Sequence, residues 1–275
     1  MTVLVTAASG KVGREVVAQL QGRGVKPREG SRRSSPPLDW NDPATWPAAL
    51  DGVDRAFVIV PGGDDGHRSV TGLGRAVCEF LDLARSRGVT RVVLMTALGM
   101  EHAPVEVEHR GVELHLQRSG LEWTILRPNW FFQNLTDGPL RALADSHQGV
   151  LRLPTGDAAV SFIDTRDIAA VAVEALLGAH VGRAYALTGP QSLTLAGVAG
   201  ACLGSPAPVN AYEPVSEADF RRTALGLGWH PEYVATVSGL FAAIAAGHAA
   251  PVLPDTAHVL GRAPRSLAAF VEGIR

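Results

Sequence analysis

The sequence predicts an α/β chain: a parallel sheet wound on both faces, Rossmann-like in its strand–turn–helix alternation, with a smaller C-terminal lobe. Three observations carry this. Short apolar runs recur with helix-patterned segments between them. The first run passes at once into a small-residue turn and then an amphipathic segment. The chain has 275 residues, enough for one compact unit that buries roughly three quarters of its unfolded surface.

Thr2-Val3-Leu4-Val5 reads as a buried strand, Thr6 to Gly13 as a tight turn and Arg14 to Arg23 as a helix. Such a turn presents backbone N–H groups at a helix N-terminus, where they hold a pyrophosphate. Gly10 and Gly13 occupy two of the three usual glycine places, and Ala7 stands in the first. Alanine serves there as long as its φ stays negative. Dinucleotide contacts are therefore expected from Thr6, Ala8, Ser9, Gly10, Lys11, Val12 and Gly13. The plain alternative is a strand–turn–helix with no ligand.

Val25 to Gly30 reads as the second strand, with Pro27 weakening it. A third is expected just before Asp39. Arg55 to Val60, stopped by Pro61-Gly62-Gly63, then becomes the fourth, and Arg91 to Thr96 the fifth. Helices are expected over Ser69 to Arg87 and Val105 to Ser119, each followed by a glycine that suits a C-cap. Glu122 to Arg127 is a further strand, halted by Pro128. Ala159 to Ile163 and Arg183 to Thr188 read as strands around the apolar helix Ile168 to Leu177. Asp164 is placed to cap that helix, with Asp167 three residues on as in a capping box. Helices and proline-bearing loops follow from Pro190. Residues 1–150 are assigned to the dinucleotide-binding domain. Residues 151–275 are assigned to a smaller substrate lobe, interleaved with the sheet.

The net charge of −2 gives no argument for nucleic acid or membrane as a partner. No leading signal peptide is read. The apolar stretch Val234 to Ala250 is interrupted by Gly239, Gly247 and His248. The only cysteines, Cys78 and Cys202, fit reduced thiols in the cytoplasm. Nothing in the chain sets an oligomeric state.

The end of the second strand selects the cofactor. An acidic residue there binds a ribose 2′-hydroxyl, and arginine accommodates a 2′-phosphate. Glu29 comes first, then Ser31-Arg32-Arg33-Ser34. Two adjacent guanidiniums between hydroxyls suit a phosphate, with Lys11 adding charge, so NADP(H) is expected on Arg32 and Arg33. Solvated loop arginines are the alternative. Asp39 is placed to meet the adenine. Pro61, Gly62 and Thr96, at strand C-termini, are placed to border the ribose and nicotinamide.

The blocks Thr6 to Gly13, Val60-Pro61, Ser119-Gly120-Leu121-Glu122-Trp123-Thr124-Ile125-Leu126-Arg127-Pro128 and Phe162-Ile163-Asp164-Thr165-Arg166-Asp167-Ile168-Ala169 resemble NmrA-like atypical short-chain dehydrogenases/reductases. Asn129-Trp130-Phe131-Phe132-Gln133-Asn134 and Leu260-Gly261-Arg262-Ala263-Pro264-Arg265-Ser266 extend the resemblance over nearly the whole chain. The segments Ser31 to Ser35 and Asp39-Trp40 to Thr45-Trp46 look most like the ergot-alkaloid-type reductases, which reduce an iminium with NADPH. His109 to Glu113 and the Trp130-Phe131 block are similar to the NAD(P)H-quinone reductase branch. The family also contains cofactor-sensing regulators.

Ordinary short-chain dehydrogenases use a Tyr-x-x-x-Lys pair as proton donor. Here the tyrosines are Tyr185, Tyr212 and Tyr233, none with a lysine four residues on, and the only lysines are Lys11 and Lys26. Hydride transfer itself needs positioning and exclusion of water. A ketone builds oxyanion charge and wants a donor. An iminium is simply neutralised, and a quinone or enone delocalises the charge. The expected reaction is thus NADPH-dependent reduction of a small planar acceptor (a cyclic iminium, quinone or enone), in specialised metabolism. The alternatives are a non-catalytic NADP(H) sensor and a cofactor-dependent isomerase or cyclase. His109 is the candidate acid or orienting donor, its alternative being a helix residue paired with Glu113 one turn on. His102, Glu106 and His109 match no metal signature, so no metal is expected. Trp130, Phe131 and Phe132 are expected to wall the acceptor pocket, with ordinary core packing as the alternative. Tyr212, Phe220, Trp229 and Tyr233 are expected opposite them.

Overall fold

The computed structural model describes residues 1–61, 72–207 and 209–274. In chain order it runs β1 (Val3–Thr6), α1 (Gly13–Gly22), β2 (Pro27–Gly30), α2 (Trp46–Ala49), β3 (Arg55–Ile59), α3 (Leu73–Ser86), β4 (Arg91–Met95), α4 (Glu108–Arg118) and β5 (Glu122–Pro128). The second half continues with α5 (Pro139–Asp145), β6 (Val150–Leu153), β7 (Ala159–Val160), α6 (Thr165–Leu177), β8 (Arg183–Leu187) and β9 (Leu193–Thr194). It ends with α7 (Leu195–Cys202), β10 (Ala211–Pro214), α8 (Glu217–Gly226), α9 (Pro231–Ala245), α10 (Asp255–Leu260) and α11 (Leu267–Glu272).

Six strands form one parallel sheet in the order β2-β1-β3-β4-β5-β8. Alternate residues of each strand point to opposite faces, and both faces are covered. Val3, Val5, Phe57, Val93 and Leu126 meet Val16, Val17 and Leu20 of α1 and Ile168, Val171 and Ala172 of α6. Leu4, Ala56, Val58, Val92, Leu94 and Ile125 meet Val77, Phe80 and Leu81 of α3, Val112 and Leu116 of α4, and Trp46. Each such fully buried side chain contributes about 1.5–3 kcal/mol. This two-sided burial is why the strands read as continuous apolar runs.

The strand expected before Asp39 does not form. Residues 31–38 fold back on themselves instead: Ser31 N–H donates to Ser34 Oγ (3.0 Å) and Leu38 N–H to the Ser31 carbonyl (2.8 Å). Pro36 and Pro37 supply no donors for a ladder. Arg55–Ile59 is therefore the third strand and Arg91–Met95 the fourth. The strand order reverses between β1 and β3, so the crevice for a ligand opens at their C-terminal ends. The helix expected from Val105 begins at Glu108, because Val107 holds an extended conformation ahead of it. The beginning of the helix expected from Ser69 lies outside the described residues.

The C-terminal lobe has its own core. Phe132, Leu135, Leu143, Leu151, Phe162, Val198, Phe220, Val234 and Phe241 are all buried within it. The lobe opens at about Phe132, ahead of residue 150, while α6 and β8 return to the sheet. Two small ladders, β6 with β10 and β7 with β9, brace it. The apolar stretch from Val234 is α9, which buries Val234, Val237, Phe241 and Ile244 on one side. Among the described residues no helix is long and apolar enough to cross a membrane.

Candidate functional site

The turn after β1 is closed by its own backbone. Gly10 N–H donates to the Ala7 carbonyl at 2.8 Å, and Ala8 N–H to the Gly30 carbonyl at 3.3 Å. No side chain caps α1, so its first-turn N–H dipoles face the crevice, as an anion site requires. Gly13 is there because nothing larger fits: a Cβ would stand 2.1 Å from the Ala7 carbonyl oxygen. Ala7 departs from its expectation. Its φ is +49°, the left-handed region in which glycine, the usual residue here, carries no penalty.

The predicted contacts fall into three groups. Ser9, Gly10 and Lys11 lie on the accessible rim of the turn. Thr6, Ala8 and Val12 are buried, and Thr6 Oγ1 accepts from Ile59 N–H at 3.0 Å, so these three shape the turn from beneath. Arg32 and Arg33 are exposed in the loop that follows Gly30, the partner of Thr6 in the β1–β2 register. Among the described residues neither guanidinium is in an ion pair. Asp39 uses Oδ1 to accept from Asn41 N–H at 3.0 Å. Pro61 follows β3 at the crevice, and Gly62 lies outside the described residues.

Behind the crevice sits a buried charge network. Glu113 of α4 is fully buried. Its Oε1 accepts from Thr96 Oγ1 (2.7 Å) and Arg127 Nε (2.9 Å), and its Oε2 from Arg127 Nη2 (2.8 Å) and Arg110 Nη1 (2.9 Å). Burial alone raises the Glu113 carboxyl. The bonds from Arg127 and Thr96, with the Arg127 charge, overcome that and hold it below the usual carboxylate range. Thr96 directly follows β4 and Arg127 lies near the end of β5, so one carboxylate ties two strand ends to a helix. His109 lies one turn before Glu113 and forms no hydrogen bond with it among the described residues. Burial lowers the His109 imidazole pKa, against the charges of Glu108 and Glu113, and the ring is neutral at pH 7. It is not among the residues that line the cleft.

That cleft, about 280 Å³, runs from the turn to the lobe. Lys11, Thr96, Ala97, Leu98 and Asn129 line its sheet end, Trp130 and Phe131 one wall, and Trp229, Tyr233 and Leu240 the other. Lys11 Nζ donates to Asn134 Oδ1 at 3.2 Å, joining the turn to the wall. Trp130 is held from behind by Phe241, stacked at 5.4 Å and 17°. Its N–H donates to Asn129 Oδ1. Phe132 is not a wall residue: it is 1% exposed and stacks on Phe162 and Phe270 inside the lobe core. Phe220 is likewise buried, against Trp229 and Phe241. Tyr212 is spent on Thr155 and Gly156. Trp229 and Tyr233 reach the cleft as expected.

Asp164 and Asp167 are both structural. Asp164 caps α6, accepting from Arg166 N–H (2.8 Å), and also accepts from Gln133 Nε2 (3.0 Å). Asp167 does not close a capping box with its side chain. Its carboxylate takes Arg262 (2.7 Å) and both the backbone and side chain of Arg265. Among the described residues no cluster could hold a metal ion.

A family model described as NAD(P)H-binding matches residues 7–178, from the small-residue turn to the end of α6. The chain is similar to NAD(P)H azoreductase of Xenophilus azovorans, at 32% identity over 98% of this chain and 96% of that one. It is similar to festuclavine dehydrogenase of Aspergillus fumigatus, at 28% identity over 99% and 97%. The fold matches an NADPH-dependent quinone oxidoreductase of Escherichia coli, complexed with NADPH, with a TM-score of 0.76 over 98% of each chain at 22% identity.

Proposed function

The chain belongs to the NAD(P)H-binding family and is an NAD(P)H-dependent oxidoreductase; from that premise we propose that it reduces a small planar acceptor with NADPH, without a Tyr/Lys dyad. The acceptor class is a cyclic iminium, a quinone or an enone. One observation carries the reading: the phosphate-binding turn opens directly into a cleft walled by Trp130, Phe131, Trp229 and Tyr233. Flat aromatic faces on both sides hold a planar ligand by stacking.

The residues present fit the cofactor. The uncapped start of α1 and the rim of Ser9, Gly10 and Lys11 would hold the pyrophosphate. Arg32 and Arg33, beyond the end of β2, would hold a 2′-phosphate. Thr96 and Pro61, at strand ends, would border the nicotinamide ribose and ring. When bound, the dihydronicotinamide supplies a hydride. The protein's part is to stack the acceptor between Trp130 and the α9 wall and to keep water out. His109, one helical turn from Glu113, is the candidate orienting donor; since it does not line the cleft, it would have to act through a neighbouring side chain.

The relatives named NAD(P)H azoreductase and festuclavine dehydrogenase support the reductase reading. The test is NADPH oxidation, followed at 340 nm, across quinones, enones, azo dyes and cyclic imines. Turnover of at least one class, with NADPH preferred over NADH, is the expected outcome. Tight NADPH binding with no oxidation across the whole panel overturns the proposal.

A further inference from the structure

At the sheet end of the cleft, polar side chains are few and most are already engaged. Asn129 spends its amide nitrogen on Ser161 Oγ (2.8 Å) and the Ala249 carbonyl (2.8 Å), and its oxygen on Trp130 N–H (2.9 Å). Ala97, Leu98 and Pro128 bring apolar side chains. The backbone N–H groups of Thr96 and Leu98 bond the Leu126 and Pro128 carbonyls. Lys11, also at this end, donates to Asn134 Oδ1 at 3.2 Å and has no acceptor to offer. Among the described residues the remaining polar side chain there is the Thr96 hydroxyl.

Its polarity is fixed. A threonine hydroxyl has one proton and two lone pairs, and an ionised carboxylate accepts only. Glu113 stays ionised because Arg127 and Arg110 place three N–H groups on its oxygens. The Thr96 proton is therefore committed to Glu113 Oε1 at 2.7 Å. A further group that reaches this hydroxyl therefore meets lone-pair density.

We propose that Thr96 accepts a hydrogen bond from the carboxamide N–H of the nicotinamide, and that Glu113 is the positioning residue that fixes Thr96 as an acceptor. This rests on the reading that the cleft holds the nicotinamide end of the cofactor. A quinone or enone offers no N–H or O–H at its carbonyl, so with those acceptors the carboxamide is the donor the site meets. It follows that Thr96 is not the source of a proton for the acceptor. The preference for a carboxamide acts on the cofactor, holding the ring in one rotation about its glycosidic axis and so exposing one face to the acceptor.

The experiment compares binding of NADP⁺ with its 3-acetylpyridine analogue, in which a methyl group replaces the carboxamide NH₂. Calorimetric titration of wild type, Thr96→Ser, Thr96→Val and Glu113→Gln gives an affinity ratio for each. Wild type and Thr96→Ser are expected to favour NADP⁺. Thr96→Val is expected to weaken NADP⁺ about three- to tenfold, the worth of one hydrogen bond, with the analogue within about twofold. Glu113→Gln, whose amide can donate to Thr96 and release its proton, is expected to lower the ratio while NADP⁺ still binds. A merely structural role for Glu113 weakens both ligands equally and leaves the ratio unmoved. An unchanged ratio in Thr96→Val overturns the inference while leaving the reductase reading intact. Failure of wild type to bind NADP⁺ overturns both. Should Glu113→Gln not fold, the two Thr96 variants still decide the acceptor role.

Discussion

Ala7 and Gly13 face each other across the turn after β1 and predict opposite responses to the same one-carbon change. Ala7 sits at φ +49°. A left-handed conformation costs an L-residue roughly 1–2 kcal/mol. Ala7→Gly removes that cost, gives up about 0.4–1 kcal/mol through the freer unfolded chain, and loses a half-exposed methyl worth about 0.4 kcal/mol. The net is a stabilisation of about 0.5 kcal/mol, a rise in Tm of about 1–2 °C at this size. Gly13→Ala runs the other way. Its Cβ would lie 2.1 Å from the Ala7 oxygen, 2.7 Å from the Ala7 carbonyl carbon and 2.9 Å from Ala8 Cα. All three are backbone atoms, so no rotamer relieves the clash, and overpacking of this kind costs about 1–3 kcal/mol or more. Thermal unfolding with and without NADP⁺ is the assay. Ala7→Gly should keep or tighten cofactor binding, whereas Gly13→Ala should lose about tenfold or more as the turn opens. A Gly13→Ala protein as stable as wild type, or an Ala7→Gly protein less stable by more than about 1 kcal/mol, refutes the account of the turn.

Arg32→Ala and Arg33→Ala are expected to raise KM for NADPH about tenfold, at the lower end for charge-assisted bonds because both side chains are exposed; KM for NADH should hardly move, and an equal loss for both cofactors removes the 2′-phosphate role. Trp130→Ala should raise KM for the acceptor and leave NADPH affinity in place, since Trp130 walls the cleft away from the turn; loss of NADPH affinity instead would contradict that placement. Burial lowers the His109 pKa from its ordinary value, so a rate that uses its N–H as a donor should be level above pH 7 and rise only below about 6.5, where protonation adds a second, stronger donor; kcat/KM unchanged in His109→Gln strikes it from the site. Glu113 and Asp164 both titrate below the usual carboxylate range in the folded chain. Their contribution to stability is full above the unfolded value of about 4 and is lost as pH falls through the folded one. A Tm that starts to drop below about pH 4.5 in wild type, and less steeply in Glu113→Gln, checks this.

The sheet was legible because parallel strands are buried on both faces and so appear as unbroken apolar runs, as in Arg91 to Met95. The small-residue turn was legible because backbone geometry demands those residues. The ladders β6–β10 and β7–β9 were not: Val150–Leu153 and Ala211–Pro214 are four residues each, and their pairing is set by the lobe around them. The third strand failed because serines and prolines after Gly30 satisfy the backbone locally. Trp130 and Phe132 were read alike, yet Phe132 begins a short 3-10 turn that carries it into the lobe. The Glu113 network was hidden because Thr96 and Arg127 lie 17 and 14 residues away from it, spacings with no helical or strand meaning. One signal was present. Val112 and Leu116 mark the buried face of α4, so Glu113 lies beside that face, and Arg127 ends an apolar strand. A carboxylate and a guanidinium both drawn inside need each other.

The block Asp164-Thr165-Arg166-Asp167 invites a catalytic reading, and the structure uses it to fix a distance. One wall of the cleft stands on the strand ends and the other on α9, which belongs to the lobe core. With the acceptor seated in this cleft as proposed, its separation from the hydride donor is set by whatever fastens lobe to sheet. Among the described residues the fasteners include Lys11 to Asn134, Asp164 to Gln133, Asp167 to Arg262 and Arg265, and Asn129 to Ser161 and Ala249. Asp167 is buried while Arg262 and Arg265 are partly exposed, and such pairs add little net stability over an apolar replacement of the whole pair, because desolvation offsets their attraction. Their geometry is nonetheless specific, and a shift of about 1 Å between reacting groups costs on the order of a hundredfold in rate. Removing one partner leaves buried charge uncompensated and destabilises the fold, so changes at Asp167, Arg262 or Arg265 should lower both Tm and, at a temperature where the variant is still folded, kcat, with cofactor affinity kept, although none of the three lines the cleft. The residues that resemble a family most closely at the end of the chain are, on this argument, the ones that hold its two walls at reacting distance.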